Sequence, residues 1–185
     1  MEDRLISARS VLVLGGARSG KSAYAQTLAE SAAPKRLYLA TAEAGDAEMA
    51  ARTARHRAER GAGWTTLEEP LALAEALKRE ARPGRVVLVD CLTLWLSNVM
   101  FANCDVEGEI ARLAKAVLAL EGPAIVVSNE VGLGIVPETK LGRDFRDMQG
   151  MINREIAQVC DAVVFLAAGL PTLIKPRPQP AFRLD

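Results

Sequence analysis

Gly15-Gly16-Ala17-Arg18-Ser19-Gly20-Lys21-Ser22 has the form G-x-x-x-x-G-K-[ST], a pattern that works only as a tight turn between a strand and a helix. Its glycines let the backbone turn and aim N–H groups inward at phosphate oxygens. Lys21 brings a positive charge, and Ser22 offers a hydroxyl to Mg²⁺. A helix starting at this point turns its positive dipole end toward the same anion. The flanks fit: Val11-Leu12-Val13-Leu14 is an apolar run suited to a buried strand, and residues 22–29 suit a helix. A chance match on a glycine-rich turn would lack that strand before and helix after.

Strand-like and helix-like patterns then alternate along the chain, the signature of a mostly parallel sheet. Strands are expected over residues 10–14, 36–41, 64–68, 86–90, 124–128 and 162–166, the last taken as the final core strand. Helices are expected over 20–32, 46–60, 70–82 with Pro70 in the first turn, 92–102, 105–120 and 139–161. Residues 129–138 form a loop containing Gly and Pro, and the Pro-rich run after Lys175 suits an extended or disordered tail. The expected fold class is α/β, of the P-loop NTPase type, a mostly parallel sheet flanked by helices (RecA-like). Residues 1–175 form one nucleotide-binding catalytic domain, with 176–185 as tail, in keeping with 185 residues.

Composition narrows the class of function. Twenty-three basic residues balance 23 acidic ones, so no global field draws the chain to nucleic acid or an anionic membrane, and any phosphate affinity is local. Cys91, Cys104 and Cys160 form no C-x-x-C pair, and His56 is the only histidine. That argues against a Cys/His zinc site and for a reduced, cytoplasmic setting. The start, Met1-Glu2-Asp3-Arg4, is acidic and lacks a signal-peptide core. The longest apolar region, 86–102, is interrupted by Asp90, Ser97 and Asn98, too polar for a membrane span.

Three further positions bear on chemistry. Asp90 ends the apolar strand 86–89; beside a phosphate loop, such a carboxylate holds Mg²⁺ directly or through water, although acidic residues also end strands for no such reason. Asn129 and Glu130 follow the strand 124–128, where open α/β sheets bind ligands, and could equally serve the turn. On a helix over 46–60, Ala47, Ala50, Ala51, Ala54 and Ala58 share one apolar face, while His56 lies roughly 180° away. A buried structural histidine is therefore disfavoured. Two readings stay open: a solvated basic face of Arg52, Arg55, Arg57 and Arg60, or an imidazole nucleophile kept neutral by those arginines, which would also neutralise a triphosphate under attack.

Residues 15–22, Leu-Tyr-Leu-Ala-Thr at 37–41, Glu-Met-Ala-Ala-Arg at 48–52 followed by His56, and Asn-Glu-Val-Gly-Leu-Gly-Ile-Val-Pro-Glu at 129–138 together resemble one family. It is the bifunctional adenosylcobinamide kinase / adenosylcobinamide-phosphate guanylyltransferase of cobalamin biosynthesis. The likeness runs from about residue 11 to 175, and the 129–138 stretch is far more specific than the phosphate loop. The resemblance implies two steps. ATP or GTP donates its γ-phosphoryl group to the hydroxyl on the aminopropanol arm of adenosylcobinamide. A histidine, matched by His56, then attacks the α-phosphorus of GTP, and the cobinamide phosphate takes GMP from the guanylyl-histidine to give adenosyl-GDP-cobinamide. Lys21 and His56 are the implied catalytic residues. The implied nucleotide site comprises Gly15, Gly16, Ala17, Arg18, Ser19, Gly20, Lys21 and Ser22; Ala40, Thr41 and Ala42; Arg57, Ala58, Glu59 and Arg60; and Glu68 and Asp90. Ser22 and Asp90 are the expected Mg²⁺ residues, and Asn129 and Glu130 the expected substrate contacts. The family also implies a homo-oligomer, with a trimer as the expected form.

Two simpler functions compete. A plain P-loop kinase of a small hydroxyl substrate would leave His56 as basic-face decoration. A nucleotide-gated switch would use the arginine helix to bind a partner.

Overall fold

The computed structural model describes residues 6–42 and 61–177. The helix expected over 46–60, and with it His56, Arg57, Ala58, Glu59 and Arg60, lies outside the described residues, as do residues 178–185.

Seven strands form one sheet: β1 (Ser10–Gly15), β2 (Lys35–Ala40), β3 (Trp64–Glu68), β4 (Arg85–Asp90), β5 (Ala124–Val127), β6 (Ala162–Ala167) and β7 (Leu170–Lys175), in the order β3-β2-β4-β5-β1-β6-β7. All neighbours run parallel except β6 and β7. The central strands are almost continuously apolar because both of their faces are covered. Alternation divides each strand between two cores. Val87 and Val89 of β4 face the side carrying α2 (Leu73–Glu80), α3 (Leu92–Phe101), α4 (Val106–Leu118) and α5 (Lys140–Val159). Val86 and Leu88 face the side carrying α1 (Lys21–Ala32). Trp95 is sealed in the four-helix side, its indole N–H donating to the Leu71 carbonyl at 2.8 Å.

Caps set the helix boundaries. Asp105 accepts from the Gly108 N–H at the start of α4, and Thr139 accepts from the Gly142 N–H at the start of α5. Two expectations need correction. The helix expected from Pro70 begins at Leu73, because the Glu69 carboxylate accepts from the N–H groups of Leu71 and Ala72 and holds 70–72 as a bend. Nor does the sheet stop at β6. Ala168 (φ 51) and Gly169 (φ 80) make a two-residue hairpin turn, and β7 adds an antiparallel edge where Pro171 is tolerated. Among the described residues no helix is long and apolar enough to cross a membrane.

Candidate functional site

The phosphate loop leaves β1 at Gly15 and enters α1 at Lys21. Gly15 has φ +153, and a Cβ there would lie 2.5 Å from the Leu166 carbonyl oxygen of β6. Gly20, at φ +94, occupies the cap position before Lys21 in the left-handed conformation. The loop is anchored on both sides: the Glu130 N–H donates to Gly15 O at 3.0 Å, and the Gly169 N–H to Ser19 O at 3.0 Å. Lys21 is only 7% exposed. Its Nζ donates to Gly16 O at 2.5 Å and lies 3.4 Å from Ser19 Oγ. Burial holds the lysine below its usual pKa, with Cys91 and Asp90 pulling the other way. Burial also raises the Cys91 thiol.

Because β5 lies between β1 and β4, the carboxyl ends of these three strands bring the phosphate loop, Asn129-Glu130 and Asp90 to one edge of the sheet, where ligands bind in such folds. They line a cleft of about 870 Å³. Of the expected residues, the cleft gathers Ala17, Arg18, Ser19, Gly20, Lys21, Ser22, Ala40, Ala42, Asp90, Asn129 and Glu130. Gly15 and Gly16 shape the turn beneath it. Thr41 is fully buried instead: its hydroxyl donates to the Cys91 carbonyl at 2.8 Å and accepts from the Cys91 N–H at 2.9 Å, tying the end of β2 to the end of β4. Glu68 is exposed at the end of edge strand β3, where it pairs in register with Ala40 of the cleft lining.

Among the described residues, no group of three or more His, Cys, Asp or Glu could hold a metal by itself. Ser22 and Asp90 nevertheless share the cleft. A hydroxyl and a carboxylate, completed by water and phosphate oxygens, form the hard-oxygen set that Mg²⁺ takes. The donors present therefore fit that ion.

Sequence reasoning missed five polar contributors. Tyr38 lines the cleft, and its hydroxyl donates to Asp90 Oδ2 at 3.1 Å. Thr93 Oγ1 accepts from Asn129. Behind them Ser128, Gln149 and Asn153 form a buried network: Ser128 Oγ donates to Asn153 Oδ1 at 2.6 Å, Gln149 Nε2 to Ser128 Oγ at 2.9 Å, and Asn153 Nδ2 to the Asn129 carbonyl at 3.0 Å. For Tyr38 the available signal was its place two residues before Ala40 on a strand that ends at the site. For α5 it was Gln149 and Asn153 at i, i+4 on a helix whose other buried positions are isoleucines.

A family model described as cobinamide kinase / cobinamide phosphate guanyltransferase matches residues 11–174. Over 171 residues the chain is 50% identical to the bifunctional adenosylcobalamin biosynthesis protein CobP of Pseudomonas aeruginosa, covering 90% of this chain and 98% of that protein. It is 36% identical over 180 residues to CobU of Escherichia coli K12, covering 89% and 99%. Among solved structures, the type III secretion ATPase EscN of enteropathogenic E. coli superposes with a TM-score of 0.58 at 15% identity, over 87% of this chain and 43% of that one. A Pyrococcus horikoshii OT3 protein superposes with 0.54 at 12% identity, over 94% and 91%. At such identities these two share the fold alone, the P-loop NTPase type. Half of all aligned positions are shared with the Pseudomonas protein along nearly its whole length, and with the family model running from β1 into β7 the chain belongs to the cobinamide kinase / cobinamide phosphate guanyltransferase family.

Proposed function

We propose that one triphosphate site, built on residues 15–22, serves both reactions. The observation that carries this reading is the nearly buried Lys21 ammonium in a cleft shared with Ser22 and Asp90. In the first step the substrate hydroxyl attacks the γ-phosphorus of ATP or GTP. The bond to the β-phosphate oxygen breaks, the nucleoside diphosphate leaves, and the hydroxyl proton passes to solvent or a cleft carboxylate. Backbone N–H groups of the loop and Lys21 hold the phosphates in line and meet the charge on the departing oxygens. Ser22 and Asp90 would hold Mg²⁺, which neutralises phosphate charge when bound.

In the second step a His56 ring nitrogen attacks the α-phosphorus of GTP, pyrophosphate leaves, and a phosphoramidate forms. A phosphate oxygen of the cobinamide phosphate then displaces the imidazole and carries off GMP, giving adenosyl-GDP-cobinamide. His56 is the only imidazole in the chain, and arginines 52, 55, 57 and 60 flank it in sequence, which supports a nucleophile kept neutral and surrounded by cationic charge. Arg57, Ala58, Glu59 and Arg60, with Ala40, Thr41, Ala42 and Glu68, complete the nucleotide site that the family likeness implies. Asn129 and Glu130 are assigned to the cobinamide substrate. Both reactions belong to one catalytic unit, residues 1–175, in a cytoplasmic homo-oligomer, with a trimer as the form that sedimentation is expected to give.

Incubation with GTP labelled at the α-phosphate tests the transferase half. After denaturation, acid-labile, alkali-stable label is expected on the protein and lost in His56→Ala, which still phosphorylates cobinamide. Label retained in His56→Ala would remove the histidine from the mechanism. Phosphorylated cobinamide with no protein label in the parent would leave a plain kinase.

A further inference from the structure

Tyr38 belongs to β2, where Leu37 and Leu39 on either side turn into the four-helix core. Alternation sends its ring to the opposite face, beside α1. Tyr38 pairs with Leu88 in register, and Asp90 with Ala40, so the phenol reaches two residues along the neighbouring strand to place its hydroxyl 3.1 Å from Asp90 Oδ2. The ring is itself held. Trp64 of β3 meets it edge to face, centroids 6.5 Å apart at 71°. The Trp64 indole donates to Glu30 Oε1 of α1 at 3.3 Å, and the Arg36 guanidinium lies 5.9 Å from the centroid of the Trp64 ring.

A carboxylate rotates about its last torsion in a broad, nearly two-fold well, so an aspartate at a strand end does not face one way unless something fixes it. A hydrogen bond to the ionised oxygen is among the stronger ways to do so. Mg²⁺, with its strict octahedral demand, is sensitive to that direction. We propose that Tyr38 is a positioning residue whose hydroxyl sets the direction of the Asp90 carboxylate for Mg²⁺-nucleotide, with Trp64 bracing the phenol from the edge of the sheet. The inference rests on the reading of Asp90 as a Mg²⁺ residue.

The test is a titration of the full chain with MgCl₂ in the presence of N-methylanthraniloyl-GTP, read by the probe's fluorescence, for the parent, Tyr38→Phe, Asp90→Asn and the double variant. Tyr38→Phe keeps the ring against Trp64 and removes only the hydroxyl, and its urea midpoint checks that the fold is intact. It is expected to raise the Mg²⁺ concentration for half-maximal nucleotide binding about three- to tenfold, with nucleotide affinity at saturating Mg²⁺ unchanged. In the Asp90→Asn background the same change is expected to add less than about 1.5-fold, because no carboxylate is left there for the hydroxyl to direct. A Mg²⁺ dependence in Tyr38→Phe equal to the parent's, with Asp90→Asn shifted, would overturn the inference and leave Asp90 standing. Equal shifts from Tyr38→Phe in both backgrounds would also overturn it. No shift in Asp90→Asn would remove Asp90 from the metal site, and this inference with it.

Discussion

Thr93 Oγ1 accepts both the main-chain N–H and the side-chain amide of Asn129, each at 3.1 Å. Thr93 lies three residues beyond Asp90 and Asn129 two beyond the end of β5, so one hydroxyl fixes the spacing between the two strand ends that meet the phosphate loop. Thr93→Val keeps the shape and removes the acceptor. It is expected to lower stability by about 1–2 kcal/mol in urea denaturation and to reduce kcat/KM of the kinase step about tenfold, with Thr93→Ser close to the parent. Full activity in Thr93→Val would show that Asn129 is placed by other means.

The network behind Asn129 is more deeply buried: Ser128 and Gln149 are 0% exposed and Asn153 is 6% exposed. Asn153 joins all its members, accepting from Ser128 and Gln149 and donating to Asn129. Asn153→Ala leaves those groups without that partner inside the protein and is expected to cost about 3 kcal/mol. Ser128→Ala is expected to cost less. A double-mutant cycle should return a coupling of about 1 kcal/mol or more between the two; strict additivity would mean that they stabilise the fold separately.

How far these arrangements could be read from residue order depends on whether the chemistry is local. The strand–loop–helix at 10–32 was legible because phosphate binding requires glycines and a lysine at fixed spacing, and β4 and β5 because burial on both faces makes them continuously apolar. Tyr38 was not legible. Its partner is 52 positions away, and an aromatic residue in a strand suits any sheet. The edge strand β7 was missed because Leu-Pro-Thr-Leu-Ile-Lys is mostly exposed and its register comes from the Ala168-Gly169 turn. Pro70 suggested an early helix start, but the Glu69 side chain took the N–H groups that would have begun it. Glu68, assigned to the nucleotide through the family likeness, ends edge strand β3 beside Ala40, and His56 with Arg57, Ala58, Glu59 and Arg60 lies outside the described residues.

A reciprocal pair closes the opposite end of the sheet. Asp161 Oδ2 accepts from the N–H groups of Arg9 and Ser10 and from Ser10 Oγ, while the Asp161 N–H donates back to Ser10 Oγ. Burial works to raise the Asp161 pKa, but the Ser10 and Arg9 N–H groups, the Ser10 hydroxyl and the Arg9 charge outweigh it and leave the carboxyl below its ordinary 3.8. The folded state thus favours the ionised form. Its contribution is complete above the unfolded value and disappears as pH falls from there through the lowered folded value. Asp161→Asn is expected to lower the urea midpoint at pH 5–8 by a constant amount and to converge on the parent as the pH drops below about 3.8. A gap that persists undiminished at pH 2 would mean that the pair acts through shape rather than charge.

Beyond Glu130, Val131 and Gly134 line the cleft, while Leu133 (82%), Ile135 (96%) and Val136 (56%) are exposed. Leaving three aliphatic side chains in water beside a binding cleft contributes nothing to the fold. A corrin ring is broad and largely apolar, and an aliphatic loop next to the phosphate site suits it as a wall while the aminopropanol arm extends toward the nucleotide. Ile135→Ser is therefore expected to change stability by less than about 0.5 kcal/mol and to leave the nucleotide KM unaltered. The KM for cobinamide should rise severalfold, in proportion to the apolar area no longer buried on binding, and Leu133→Ser should act in the same direction. Steady-state kinetics with each substrate varied in turn separates the two constants. An unchanged cobinamide KM in both variants would place the corrin ring on another surface, and a raised nucleotide KM would show that the loop shapes the phosphate site instead.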